Sequence, residues 1–139
     1  MLALQSWLAL RARVEPEELA PGEAGRLVVE VMIPEGCHIE SYEPSEPFLI
    51  PAALALEDVD GVAMGRVAYP PDEVETFDWS PTVLKVYRGT VELTAPFEVA
   101  AGATPGRRRV TGRMGYQGCT ETLCYPPAEQ EVTAFLQVV

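Results

Sequence analysis

The sequence predicts an all-β domain, a sandwich of seven to nine short antiparallel strands. Three observations predict it. Runs rich in Val, Leu, Thr and aromatic residues recur every eight to fifteen residues along the 139-residue chain, the spacing of strands joined by turns. Thirteen prolines and eleven glycines punctuate those runs, too many for a helical bundle of this size. No segment longer than about ten residues holds a helical apolar period free of Pro or Gly.

The elements follow in chain order. The opening MLALQSWLALRARV has no basic residues ahead of its apolar run and no small-residue cleavage site after it, so it reads as a strand, Ser6–Val14. Leu8, Leu10, Ala12 and Val14 share one side of that strand; Trp7, Ala9, Arg11 and Arg13 share the other. The acidic piece Glu15–Gly22 reads as a turn, or at most one helical turn begun by its proline. Further strands are expected at Gly25–Ile33, Ala53–Leu56, Val62–Tyr69, Val83–Tyr87, Thr90–Ala100, Arg107–Tyr116 and Glu131–Val139. In the seventh of the eight, Val110, Gly112, Met114 and Tyr116 fall on one face, against Arg109, Thr111, Arg113 and Gly115. Strands of this number and spacing suggest a sandwich of immunoglobulin type. Residues 1–139 are read as one such domain, long enough to bury roughly 68–70% of its unfolded surface without disulfide staples.

Composition narrows the function. Ten Lys+Arg stand against 21 Asp+Glu, a net charge of −11, which repels phosphate backbones and anionic lipid and disfavours nucleic-acid binding. No run approaches the ~18 apolar residues of a membrane span. With one histidine and three cysteines, the chain lacks the ligands of four-cysteine or two-cysteine, two-histidine zinc sites, and no metal or other cofactor is expected. Two connections exceed what a hairpin requires. Pro34–Pro51 carries Glu-Gly-Cys-His, and Pro70–Pro81 carries four carboxylates with Phe77 and Trp79. Long ordered loops on a rigid sandwich are where binding sits.

Cys119 and Cys124 have four residues between them in Tyr116-Gln-Gly-Cys-Thr-Glu-Thr-Leu-Cys-Tyr-Pro-Pro127, and Cys37 stands alone. A disulfide closing so short a loop reduces chain entropy by only roughly 2 kcal/mol. On the residues alone, the pair is a redox-active dithiol, a local staple or two free thiols; either disulfide form implies an oxidising compartment. Arg107, Arg108, Arg109 and Arg113 crowd the approach to Cys119. Near the pair they would favour thiolate, but their pattern is better read as outward residues of an edge strand that block edge pairing.

The flanks of the pair resemble the signature of the amino-terminal extracytoplasmic domain of the thiol–disulfide interchange protein DsbD. Ile33-Pro-Glu-Gly-Cys-His-Ile39, Glu46-Pro-Phe-Leu-Ile-Pro51 and Val86-Tyr-Arg-Gly89 are similar to other segments of that family, in order. The resemblance implies an immunoglobulin-like fold and a periplasmic or otherwise extracytoplasmic electron relay. A thioredoxin-like donor domain supplies two electrons, which pass to oxidised thioredoxin-fold proteins such as disulfide isomerases or cytochrome c maturation factors. It further implies that Cys119 and Cys124 are the redox pair, with Cys124 forming the mixed disulfide and Cys119 resolving it. A cap loop in the family lays an aromatic over the disulfide; Phe77 is the choice here, ahead of Trp79. His38, Tyr116 and Tyr125 are candidates for the wall of the site, and a monomer is the default. Two departures stand out. The family's tryptophan after Pro-Glu-Gly is Cys37 here, read as a small buried hydrophobe. The membrane-spanning and Cys-x-x-Cys segments of the larger system are also missing from this sequence. The rival reading is a non-catalytic protein-binding sandwich with a structural disulfide, and a weaker one a copper carrier using His38.

Overall fold

The computed structural model describes residues 7–139, and no helix occurs among them. Its twelve strands are β1 (Ala9–Glu15), β2 (Glu18–Leu19), β3 (Ala24–Met32), β4 (His38–Glu40), β5 (Ala53–Leu56), β6 (Val62–Met64), β7 (Glu73–Glu75), β8 (Leu84–Tyr87), β9 (Thr90–Val99), β10 (Gly106–Tyr116), β11 (Gly118–Cys119) and β12 (Ala128–Val138). All eight expected strands are present, the first from Ala9 onward, while Ser6 lies outside the described residues. The four additional strands have two or three residues each and sit inside segments read as connections.

Two four-stranded sheets, ordered β1-β3-β9-β6 and β2-β12-β10-β5, form the sandwich. Leu27, Val29 and Val31 of β3 and Leu93, Ala95, Phe97 and Val99 of β9 share one core with Val110, Met114 and Tyr116 of β10 and with Val132, Ala134, Leu136 and Val138 of β12. The period-two pattern of each strand dictates which residues enter it. In β10 the expected inward set of Val110, Gly112, Met114 and Tyr116 is buried throughout. A Cβ at Gly112 would come within 2.9 Å of the Leu54 side chain and 3.2 Å of the Leu56 side chain, so glycine leaves these two leucines of β5 room against β10.

Three expectations change. The Glu15–Gly22 segment is no helical turn: Glu18–Leu19 runs parallel to β12, with Gln137 and Val139 donating to the carbonyls of Glu17 and Leu19. Leu19, 1% exposed, is the apolar residue that draws this acidic stretch onto the core. The strand expected over Val62–Tyr69 stops at Met64, because it meets Pro96 of β9, which has no N–H to donate. Gly65 donates to the Pro96 carbonyl at 2.7 Å, and pairing resumes only at Ala68 opposite Thr94. Finally, β10 lies between β12 and β5, but β5 pairs only with Gly112–Gly115, so Arg113 sits inside the sheet while Arg107, Arg108 and Arg109 lie beyond the reach of β5.

A third, smaller sheet, β11-β4-β8-β7, stands at one end of the sandwich. Ile39 and Tyr87, paired across β4 and β8, turn one of its faces into the main core. The Tyr87 hydroxyl donates to the Pro70 carbonyl at 2.9 Å, anchoring the start of the second long connection.

Candidate redox site

The opposite face of the small sheet carries the site. Pairing sets Cys119 against His38, and Glu40 follows two residues on, so all three side chains share one face. The turn before them is built by Pro34-Glu-Gly-Cys37. Gly36 adopts φ +80°, the conformation glycine takes most cheaply, and Cys37 N–H donates to the Pro34 carbonyl at 3.1 Å. That turn aims His38 at β11.

Cys119 and Cys124 form a disulfide. Between them the chain makes a tight turn: Thr120 N–H donates to the Leu123 carbonyl at 2.8 Å, and Thr120 Oγ1 accepts from the amides of Thr122 and Leu123. Tyr125 N–H returns to the Gly118 carbonyl. The two cysteines are unlike in their surroundings. Cys119 is 0% exposed, whereas Cys124 is exposed beside Leu123, itself 48% exposed.

Beneath the turn lies Trp7, which the sequence had placed only on the side of the first strand shared with Ala9, Arg11 and Arg13. Its ring stacks on Tyr116 (6.0 Å between centroids), meets Tyr125 edge-on (6.4 Å), and would touch a Cβ at Gly118 at 3.0 Å. Tyr116 and Tyr125 therefore gather around Trp7, and the Tyr116 hydroxyl donates to the Gln130 side chain. The same Gln130 amide bonds Leu8 through both its oxygen and its nitrogen. These contacts form a floor under the cysteine turn.

Above the site lies the segment after β7. Phe77 stacks on His38 with centroids 4.6 Å apart, and Trp79 stacks on Phe77 at 5.3 Å. Phe77 is thus the inner aromatic and Trp79, 38% exposed, the outer one. Arg88 fastens this arrangement. It forms a two-point ion pair with Glu75 of β7, lies 5.9 Å from the Phe77 ring centroid and donates to the Cys37 carbonyl at 3.3 Å. Sequence reasoning had noted Arg88 only as part of a family segment, had weighed Glu75 as a neighbour able to modulate thiol acidity but preferred a solvated charge, and had missed Glu40; Glu75 is instead paired with Arg88. Cys37 is half-buried and free, its backbone rather than its thiol tied to Arg88.

The basic residue of the site is therefore Arg88, not the Arg107–Arg113 cluster. Arg107 and Arg109 lie over Phe135, Arg108 donates to the Asp60 and Thr104 carbonyls, and Arg113 is surrounded by Glu57, Glu129 and Glu131 at 3.6–3.8 Å. Arg107, Arg109 and Arg113 thus point to the outer face of the sandwich, and Arg108, largely buried, ties down loop carbonyls.

Burial governs titration here. It pushes the Glu40 carboxyl up from 4.5 to about 7. It also pushes His38 down from 6.5 to about 4, with the Arg88 charge acting in the same direction and Glu75 against it. Glu75 is held below the usual carboxylate range by its Arg88 hydrogen bonds.

An immunoglobulin-like sandwich that carries a short-loop disulfide on a small end sheet defines the class of this protein. The chain belongs to the family described as the N-terminal domain of the thiol:disulfide interchange protein DsbD, whose family model matches residues 7–136. Among solved structures it is similar to the N-terminal periplasmic domain of ScsB from Proteus mirabilis, with 11% identity, TM-score 0.59, and 96% of this chain but 47% of that one covered. This chain thus spans about half of the ScsB domain. It is also similar to a chain of the complex between the DsbD and PilB N-terminal domains from Neisseria meningitidis, with 19% identity, TM-score 0.51 and coverage of 78% and 73%. The reduced Neisseria meningitidis DsbD N-terminal domain matches with 18% identity and TM-score 0.48 over 87% and 85%. At these identities the first two likenesses bear on the fold alone. No curated protein sequence matches this chain.

Proposed function

We propose that this domain is a protein-disulfide reductase of the extracytoplasmic, periplasmic space, relaying two electrons from a thioredoxin-like donor to oxidised thioredoxin-fold partners. The observation that carries the reading is the asymmetry of the pair: an exposed Cys124 joined to a fully buried Cys119 in a loop too short to stabilise the sandwich much. Thiol–disulfide exchange requires one sulfur within reach of a partner and another that resolves the mixed disulfide. Cys124 takes the first role and Cys119 the second. Phe77, backed by Trp79, is the cap that limits access, and His38 forms the wall beneath it.

Family membership supports exchange chemistry, the ScsB neighbour is described as periplasmic, and a DsbD N-terminal domain has been seen in complex with another protein's domain. Disulfides also persist where the environment is oxidising. Disulfide isomerases and cytochrome c maturation proteins are the acceptors that fit this chemistry.

The deciding experiment is the equilibrium reduction potential of the pair, with Cys37 changed to Ser so that a single couple is read. Between about −200 and −280 mV the pair exchanges with thioredoxin-like proteins, as proposed. Well below about −300 mV it is a structural staple, and a non-catalytic binding module replaces the relay.

A further inference from the structure

Cys119, His38 and Glu40 form a dry cluster. One sulfur, one imidazole nitrogen and one carboxylate oxygen lie within 4.8 Å of one another, and the residues are 0%, 0% and 1% exposed. Neither nitrogen of His38 nor either oxygen of Glu40 has a hydrogen-bond partner; the nearest approach between them is 3.7 Å. Unpartnered buried polar groups are costly and call for an explanation in function.

The exchange reading above, on which this inference rests, supplies a need for them. When a donor thiolate attacks Cys124 Sγ, the disulfide breaks and its electron pair remains on Cys119 as a thiolate. Burial disfavours that charge, and a residue with no exposed surface has no bulk water to protonate it. In the reverse step the Cys119 thiol must shed its proton before its sulfur can attack Cys124 and release the partner's thiolate.

We propose that Glu40 carries this proton, its carboxyl protonating Cys119 as the disulfide opens and its carboxylate taking the proton back as the disulfide closes. The step balances without another acid. On opening, the donor thiolate, the disulfide and the Glu40 carboxyl become a mixed disulfide, a Cys119 thiol and a Glu40 carboxylate. On closing, the mixed disulfide, thiol and carboxylate become the intramolecular disulfide, a partner thiolate and the carboxyl. The proton passes between two buried groups.

The other ionisable groups nearby are poorly suited to this. His38, on the same strand, is neutral near pH 7 because burial and Arg88 oppose its charge. Glu75 of β7 is fixed as the Arg88 counterion. Asp72 accepts from Ser41, the residue after Glu40. Glu121, on the cysteine turn, acts on Arg88 from an exposed position. Val86, Glu40's partner on β8, brings no charge. Glu40 alone combines burial next to Cys119 with a proton to give near neutrality.

The test uses the oxidised chain with Cys37→Ser, alone and with Glu40→Gln, reduced by dithiothreitol in a stopped-flow series from pH 5 to 9. Rates are divided by the thiolate fraction of the reagent. The parent is expected to lose rate as pH rises through about 7, and Glu40→Gln to be slower below pH 7 by about 10²-fold, the scale of a general acid, without that inflection. Glu40→Asp should keep the inflection, and His38→Gln should keep it too. A Glu40→Gln profile that superimposes on the parent overturns the proposal. A second measurement guards against misfolding: in reduced Cys124→Ser protein, the Cys119 thiol, followed by thiolate absorbance, should titrate lower once Glu40→Gln removes the neighbouring carboxylate. An unmoved titration also overturns it. Stoichiometric zinc held by the reduced parent and lost with Glu40→Gln would overturn it as well, making the cluster a metal site. The potential separates the failures: a potential in the structural range removes the relay itself, whereas an exchangeable potential with unchanged Glu40→Gln kinetics removes only the role of Glu40.

Discussion

The two large sheets and the small one are built on opposite terms. In the large sheets β10 pairs with β12 over eleven residues and β3 with β9 over nine, with inward positions filled by aliphatic and aromatic side chains. In the small sheet no strand exceeds four residues, and one face holds four polar side-chain atoms without partners. A sheet of such short strands is not stable by itself; it persists because Ile39 and Tyr87 are seated in the main core. The molecule thus places its costs in the small sheet. Long ladders supply stability, and their surplus tolerates a dry polar cluster beside the disulfide.

Removing the pair should separate those two parts most sharply. Cys119→Ala is expected to accumulate a mixed disulfide with an oxidised thioredoxin-like protein through Cys124, while Cys124→Ala accumulates almost none, as read on non-reducing gels. Both should fold, losing no more than about 2 kcal/mol in urea titrations, because the closed loop is short. Trapping by Cys124→Ala instead would reverse the assignment of the two sulfurs. Unfolding of both variants would mean that the small sheet holds up the frame.

A smaller effect comes from the polar pair. Glu40 is raised to about 7 in the folded chain from 4.5, so its contribution to stability is fully present below pH 4.5 and is lost as pH rises through 7. His38 is lowered to about 4 from 6.5, so its contribution is fully present above pH 6.5 and is lost as pH falls through 4. Between pH 4.5 and 6.5 the two slopes oppose each other, each at most about 1.4 kcal/mol per pH unit. Urea midpoints should therefore climb with pH across this window in Glu40→Gln and fall in His38→Gln, with the parent between them. Identical slopes in all three proteins would show that the pair is wet. The exposed ion pairs of the large sheets, such as Arg113 with its glutamates, should produce no comparable slope.

The same contrast explains what the sequence made legible. The long strands carry enough period-two positions to be read, so their existence, their inward faces and the sandwich followed from the residues. Strands β4 and β11 are too short for any alternation, and their neighbours in sequence are turn-formers. The cysteine pair was legible because its spacing and flanks are local, whereas Phe77 was singled out through the resemblance to the family's cap loop. Glu40 was not, since a glutamate reads as solvated, and only Phe77 folding back over His38 and the pairing of β4 with β11 make this region dry. The arginine run was legible only in part: the outward placement preferred for it holds at Arg107, Arg109 and Arg113, but its partners were not readable. Its local density says nothing about the acidic and aromatic partners that β12 and the loop after β5 bring to it.

The smallest expected effect concerns the lid. Phe77 stacks on His38 and Trp79 and lies near Arg88, outside the main apolar core, so Phe77→Ala should leave the frame's stability nearly unchanged. It should speed reaction of the reduced pair with a small disulfide reagent several-fold, because exchange depends on access to the sulfur. Trp79→Ala should do less, since Trp79 stacks on Phe77 from the outside. An equal acceleration by both substitutions would make the two rings one lid. No acceleration by Phe77→Ala would mean that Cys124's own exposure already sets the rate, and that the aromatic stack serves only to keep His38 and Glu40 dry. The pH slopes decide that alternative: a lid that excludes water from the cluster must flatten the opposing Glu40 and His38 slopes when it is removed, even where the exchange rate does not move.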